Sequence, residues 1–128
     1  MTRKGSCLCG AVKYTLSGDL RNSVACHCQQ CRKTSGHYVS ATQVGADQLE
    51  ITENATLVWY QSSPGAHRGF CNACGSSLFW RHVDDEGAVS VMSGTLDGAT
   101  GITTEKHIFV ADKGDYYDIA DGRPQHDQ

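Results

Sequence analysis

The chain has no long hydrophobic run, and none of its 128 residues belongs to an apolar stretch long enough to cross a bilayer. The opening residues, Met1-Thr2-Arg3-Lys4-Gly5-Ser6, lead straight to cysteine without the apolar core of a secretory signal. Lysine and arginine form no cluster, and the formal charge is only -3. Nothing in that balance draws the chain to nucleic acid or to a membrane surface. There is no long amphipathic helical pattern, no internal repeat and no low-complexity segment. These absences leave a single domain, residues 1–128, with a core over about 5–119 and a polar tail, 121–128, that we expect to fray. We expect it in the cytoplasm, where thiols stay reduced.

Cysteine is what the chain has in quantity. All seven cysteines fall in three clusters: Cys7-Leu8-Cys9, Cys26-His27-Cys28-Gln29-Gln30-Cys31 and Cys71-Asn72-Ala73-Cys74. An odd count, and a C-x-C too tight to bridge on itself, speak against a disulfide framework. Clustered thiols in a reducing compartment point to metal. Seven divide as four plus three. Four thiolates close a tetrahedral zinc site, whereas three leave one position open.

Spacing suggests which cysteines go together. In an extended strand residues i and i+2 face the same way, so Cys7 and Cys9 can reach one metal. In C-x-x-C the chain turns and two sulfurs converge. Gly10 and Gly75 follow the second cysteine of their pairs and permit a positive φ there. We therefore assign Cys7, Cys9, Cys71 and Cys74 to a structural zinc that ties segments about sixty residues apart. Cys26, Cys28 and Cys31 remain for a second zinc, one more easily lost, whose vacant position a substrate sulfur or water can fill.

Other candidates are weighed beside these. His27 is odd in the alternation and should point away from Cys26 and Cys28. His67 and His107 could reach the site only through the fold, and packing roles are expected for both. Arg32, Lys33 and Arg68 lie beside cysteines; they are either a cationic rim for substrate carboxylates or charge that balances a net-negative zinc–thiolate centre. Phe79 and Trp80 are expected in the core.

The rest of the chain reads as short strands with turns between them. Strand patterns cover residues 11–16, 23–26, 38–44, 49–52, 56–60, 77–82, 88–92 and 107–110, with a helical turn at 29–35. His67 to Phe70 leads into the last cysteine cluster, and 77–82 is the outgoing strand of a hairpin built on it. The fold class is mainly β, a single domain of small irregular antiparallel sheets organised around zinc.

The order C-x-C, C-x-C-x-x-C, C-x-x-C resembles the glutathione-dependent formaldehyde-activating enzyme family, which includes centromere protein V. Gly5 to Val12 is similar to that family's opening and Cys26 to Gly36 to its central motif. Ser62 to Gly65 with Arg68 to Gly75 is similar to its third motif. Ser93-Gly94-Thr95-Leu96-Asp97 and His107-Ile108-Phe109-Val110 fit later segments. One departure stands at Tyr116-Tyr117, where the family tends to carry a tryptophan. The resemblance implies a mainly β fold shared with methionine sulfoxide reductase type B and with a Rab-binding exchange chaperone. It also implies the same two-zinc partition, with glutathione as cosubstrate. The implied activity is that of a carbon–sulfur lyase, joining glutathione and formaldehyde as S-hydroxymethylglutathione.

The expected partner is thus a small-molecule thiol or thiol adduct, with no nucleic acid and no membrane. Two other readings stay open on the residues. One is a non-catalytic, zinc-stabilised module that binds glutathione or a protein partner. The other is a redox protein using Cys28 and Cys31 as a dithiol.

Overall fold

Side-chain alternation along the strands decides the architecture, because it gives one large sheet two different faces. The computed structural model describes residues 1–128. Its strands are β1 (Thr2–Ser6), β2 (Lys13–Ser17), β3 (Ser23–Cys26), β4 (Val39–Gly45), β5 (Leu49–Glu53), β6 (Leu57–Ser63), β7 (Ala66–Cys71), β8 (Ser77–His82), β9 (Ala88–Met92) and β10 (Thr104–Ile108). The one α-helix, α1 (Gln29–Ser35), follows β3, and no helix is long and apolar enough to cross a membrane.

Seven strands form one sheet in the order β10-β3-β4-β9-β8-β7-β6, and β1-β2-β5 form a second. Val44, Phe79, Val89 and Val91 of the large sheet join Tyr14 and Leu16 of the small one in the main core. Tyr14 meets Phe79 edge-on, with ring centroids 5.3 Å apart. Residues one step out of phase, Val39, Ala41, Trp80 and Met92, form a smaller apolar cluster with Cys26, Cys28 and Cys31. Phe79 is therefore core, as its strand pattern predicts. Trp80, expected there too, is only partly buried and belongs with the second cysteine cluster.

The mainly β class holds, with several local differences from the sequence reading. β1 was not foreseen, because Thr2, Arg3 and Lys4 carry no apolar alternation; pairing with β2 makes the strand. The last strand begins at Thr104 and ends at Ile108, because Phe109 adopts a left-handed φ of 53° that stops it. That strand also runs parallel to β3, while the other pairings are antiparallel. The tail expected to fray is exposed but pinned. The His107 N–H donates to the Pro124 carbonyl and the His126 N–H to the His107 carbonyl, each at 2.9 Å.

Gly5 shows why the small sheet tolerates a glycine in a strand. It lies opposite Tyr14, whose ring covers it so closely that an added Cβ would fall 2.1 Å from a ring carbon. The buried Tyr14 hydroxyl is fixed at the far end by Thr95 Oγ1, 2.7 Å away. Gly5→Ala should therefore lower unfolding free energy by about 1–3 kcal/mol through overpacking. Gly94→Ala, with nothing within 4 Å of the new Cβ, should change it by less than about 0.5 kcal/mol. Denaturant titration of the two zinc-loaded variants checks both.

Candidate metal centres

The first cluster is built by two backbone turns that face each other. Cys7 to Gly10 forms one, closed by the Gly10 N–H on the Cys7 carbonyl at 3.1 Å. Cys71 to Gly75 forms the other, closed by the Gly75 N–H on the Cys71 carbonyl at 2.8 Å. Gly10 and Gly75 have φ of 80° and 81°, the left-handed conformation that their position after the second cysteine predicts. The C-x-C pair is a turn rather than the extended strand expected, but Leu8 still points away from the sulfurs and is 88% exposed.

Four sulfurs meet between these turns. Cys7, Cys9, Cys71 and Cys74 place their ligand atoms within 4.8 Å of one another. Cys9 Sγ is 3.6 Å from Cys7 Sγ and 3.8 Å from Cys71 Sγ. A zinc–sulfur bond of about 2.3 Å sets the edge of a tetrahedral four-sulfur shell at about 3.8 Å. The residues present fit a closed zinc site. Backbone N–H groups of Val12 and Cys74 donate to Cys7 Sγ and Cys71 Sγ at 3.2 and 3.4 Å, and the Thr56 hydroxyl, helped by the Cys74 N–H, lowers the Cys71 thiol pKa. The Ser76 hydroxyl and the Cys9 backbone hold the Cys74 thiol down to about 5. Cys7 and Cys71 are also part of the main core, so this centre is continuous with the folding unit.

The second cluster sits at the junction of β3 and α1. Cys26 ends β3, and Cys28 caps α1, its Sγ accepting the Cys31 N–H at 3.3 Å. Gly36 closes the helix in the left-handed conformation. The three sulfurs lie within 4.8 Å of one another, and no fourth side-chain ligand joins them. This donor set fits a metal with one position left to an outside ligand. The Cys31 thiol is lowered to about 6, first by the neighbouring Cys26 and further by Arg68, while Cys26 is pushed up, first by Cys31 and then by burial.

These cysteines face a cavity of about 420 Å³ on the side of the large sheet away from the main core. Its wall is mostly apolar, with Val24, Val39, Ala41, Trp80, Met92 and Ile108 among its residues. Arg68 stands beside the sulfurs, with Nη2 3.7 Å from Cys31 Sγ, 3.2 Å from Gln30 Oε1, and Nε donating to Ser62 Oγ at 3.1 Å. Arg32 and Lys33, candidates on the same footing in the sequence, stand on α1 and do not line the cavity. Arg21 does line it and was missed, because it lies in a loop outside every motif. Another cavity of about 420 Å³, beside Trp59 and His67, contains no cysteine.

His27 points away from the cavity, as its place in the alternation predicts. It is 1% exposed and bonded at both nitrogens, Nδ1 to the Tyr117 hydroxyl and Nε2 to His107 Nδ1 at 2.9 Å. His107 Nε2 continues to Asp121 Oδ2 at 2.7 Å. Burial, aided by His107, pulls the His27 pKa down to about 4. A hydrogen-bonded chain thus runs from Tyr117 through His27 and His107 to the Asp121 carboxylate. Tyr117, which stands where the resembled family tends to carry a tryptophan, thus belongs to this network and not to the cavity wall.

Comparison with known proteins points to one family. The family model for the glutathione-dependent formaldehyde-activating enzyme matches residues 2–112. An uncharacterized lyase of Schizosaccharomyces pombe is 28% identical over 120 residues, spanning 91% of this chain and 85% of the relative. A putative glutathione-dependent formaldehyde-activating enzyme of Halomonas elongata is 30% identical over 129 residues, spanning 93% and 82%. The crystal structure of a Rhodobacter sphaeroides protein superposes with a TM-score of 0.62 at 27% identity, covering 77% of this chain and 91% of that one.

The two cysteine groups should respond differently to loss of a ligand. A structural zinc contributes roughly 10–16 kcal/mol, and a domain is stable by roughly 5–15 kcal/mol. Cys71→Ser should therefore abolish the folded state, whereas Cys28→Ser should stay folded with one zinc fewer per chain. Elemental analysis with near-ultraviolet circular dichroism of each variant checks this; a folded Cys71→Ser protein would refute the division.

Proposed function

This chain belongs to the glutathione-dependent formaldehyde-activating enzyme family, and from that membership we propose a zinc-dependent carbon–sulfur lyase that makes or breaks a thiol adduct of an aldehyde. The observation that carries the reading is the convergence of three sulfurs, with no fourth side-chain ligand, at the wall of a cavity. On this reading Cys7, Cys9, Cys71 and Cys74 hold a structural zinc, and Cys26, Cys28 and Cys31 hold the zinc at which a thiol such as glutathione binds. That second zinc, when bound, supplies Lewis acidity that favours the thiolate form of the incoming thiol.

The chain's own residues do the rest. The three cysteine sulfurs line the cavity, so a metal held by them would be open to a ligand from it. Arg68 lies against Cys31 and offsets the excess negative charge of three thiolates. The wall beside the sulfurs is mostly apolar and suits the carbon body of an adduct. In the forward direction the thiol sulfur bonds to the carbonyl carbon, the carbon–oxygen π bond breaks, and the thiol proton ends on the carbinol oxygen. No Asp, Glu, His or Lys lines the cavity. The proton accordingly moves through water, which suits an addition that is intrinsically easy.

The same lack of an acid–base side chain favours a second reading, a module that binds the thiol without turnover. Rate measurements separate the two. Zinc-loaded protein mixed with glutathione and a small aldehyde should speed adduct formation and breakdown, followed by exchange NMR. Cys28→Ser should fall to the uncatalysed rate. Arg68→Ala should lose about 10–100-fold in activity or metal affinity, the range for a group that supports a metal ligand. Thiol binding with no rate enhancement over buffer would refute the lyase and leave the binding module.

A further inference from the structure

Arg21 is the cation of the cavity that no cysteine motif explains. Its backbone is fixed by the Thr42 hydroxyl, which donates to the Arg21 carbonyl at 2.5 Å. Its guanidinium lies along β4, with Nη2 donating to the Ala41 carbonyl at 3.0 Å and Nη1 to Gln43 Oε1 at 3.3 Å. Nε donates to the Asn22 carbonyl at 3.2 Å. All these acceptors are neutral; Glu105 is near enough to act on the guanidinium through space, but no carboxylate forms a salt bridge with it. An arginine held this way still has N–H groups to offer a planar anion.

Register places this cation at a distance from the sulfurs. Cys26 lies opposite Val39 on β4, and Val24 lies opposite Ala41. Arg21 binds β4 at Ala41 and Gln43, two and four residues beyond Val39. At about 3.4 Å per residue that is about 7–14 Å along the sheet. Between the two ends the wall is apolar, formed by Val24, Val39, Ala41, Trp80, Met92 and Ile108. A one-carbon aldehyde fills little of a cavity of about 420 Å³.

We propose that the cavity takes a thiol or thiol adduct with an apolar body and a terminal carboxylate, and that Arg21 receives the carboxylate. The proposal rests on the reading of Cys26, Cys28 and Cys31 as the sulfur-binding end. The sulfur lies at the cysteines, the carbon body along the β3–β4 wall, and the carboxylate in the guanidinium fork. Arg68, already committed to Cys31, Gln30 and Ser62, serves the other end.

The test compares ω-mercaptohexanoate with ω-mercaptohexanamide, which differ only in the terminal charge. Binding to the zinc-loaded protein is measured by calorimetry, and sulfur ligation by the visible spectrum of the cobalt-substituted protein. The acid should bind about tenfold or more tightly, the scale of one charge-assisted hydrogen bond. In Arg21→Gln, checked for metal content, the acid-to-amide ratio should fall to about 1. Arg21→Lys, which keeps the charge but loses the fork, should retain part of the preference. Equal binding of acid and amide to the wild-type protein overturns the proposal without needing any variant, as does an undiminished preference in Arg21→Gln. Either result leaves thiol binding at the cysteines standing. Failure of both thiols to bind or to alter the cobalt spectrum overturns the sulfur-binding reading together with this one.

Discussion

Four sulfurs in mutual contact are the constraint on which the structure depends. Thiolates 3.6–3.8 Å apart repel one another unless a cation sits among them. This chain nevertheless aims backbone N–H groups at two of the sulfurs and sets a hydroxyl against a third. The two turns that carry them belong to different sheets. Cys7 follows β1 of the small sheet, and Cys71 ends β7 of the large one. A metal at their meeting point would lock the two layers together where Val12, Leu16 and Leu78 complete the core. Closing a loop of this length is entropically unfavourable for an unfolded chain, so the lock acts where it is most needed.

The second cysteine group uses the same chemistry for a different end. It lies on the opposite face of the large sheet and borders a cavity instead of a core. Its geometry is supported from behind by hydrogen bonds. His27, between two of the cysteines, has both ring nitrogens engaged, and the network continues to Asp121 near the end of the chain. A ring held in this way cannot swing toward the sulfurs and occupy the open position. The same network docks the tail against β10, which explains how an exposed polar segment becomes ordered.

The sequence discloses what local chemistry controls. Cysteine spacing separated the two groups, and glycines placed after cysteine pairs marked two left-handed turns. The alternation at 26–28 turned His27 away from the cavity. Features set by tertiary pairing stayed hidden. β1 has no apolar pattern of its own and exists because β2 offers it partners. Trp80 follows Phe79 in a strand, and only the side on which each sheet face is covered decides that one is core and the other cavity wall. Arg21 sits in an unmarked loop, and its relation to Cys26 appears only through the register of β3 on β4. Arg32 and Lys33 are nearer to cysteine in sequence than Arg21, yet the turn of α1 takes them away from the cavity.

Charge gives that register its chemical meaning. With zinc bound, three thiolates leave one net negative charge at the cysteine end, and Arg68 beside Cys31 offsets it. Arg21 has no ion-paired counterpart: Glu105 acts on it through space but forms no salt bridge with it and does not line the cavity. The cavity lining therefore carries one cation in excess, at its end away from the sulfurs, above an apolar wall. A thiol adduct bearing one carboxylate restores neutrality, while a neutral one leaves the half-buried guanidinium with only amide oxygens to face. Apolar contact along the wall favours many carbon bodies of suitable length. The fork at Arg21 discriminates among them by charge, as a positioned hydrogen-bonding group discriminates more sharply than an apolar surface.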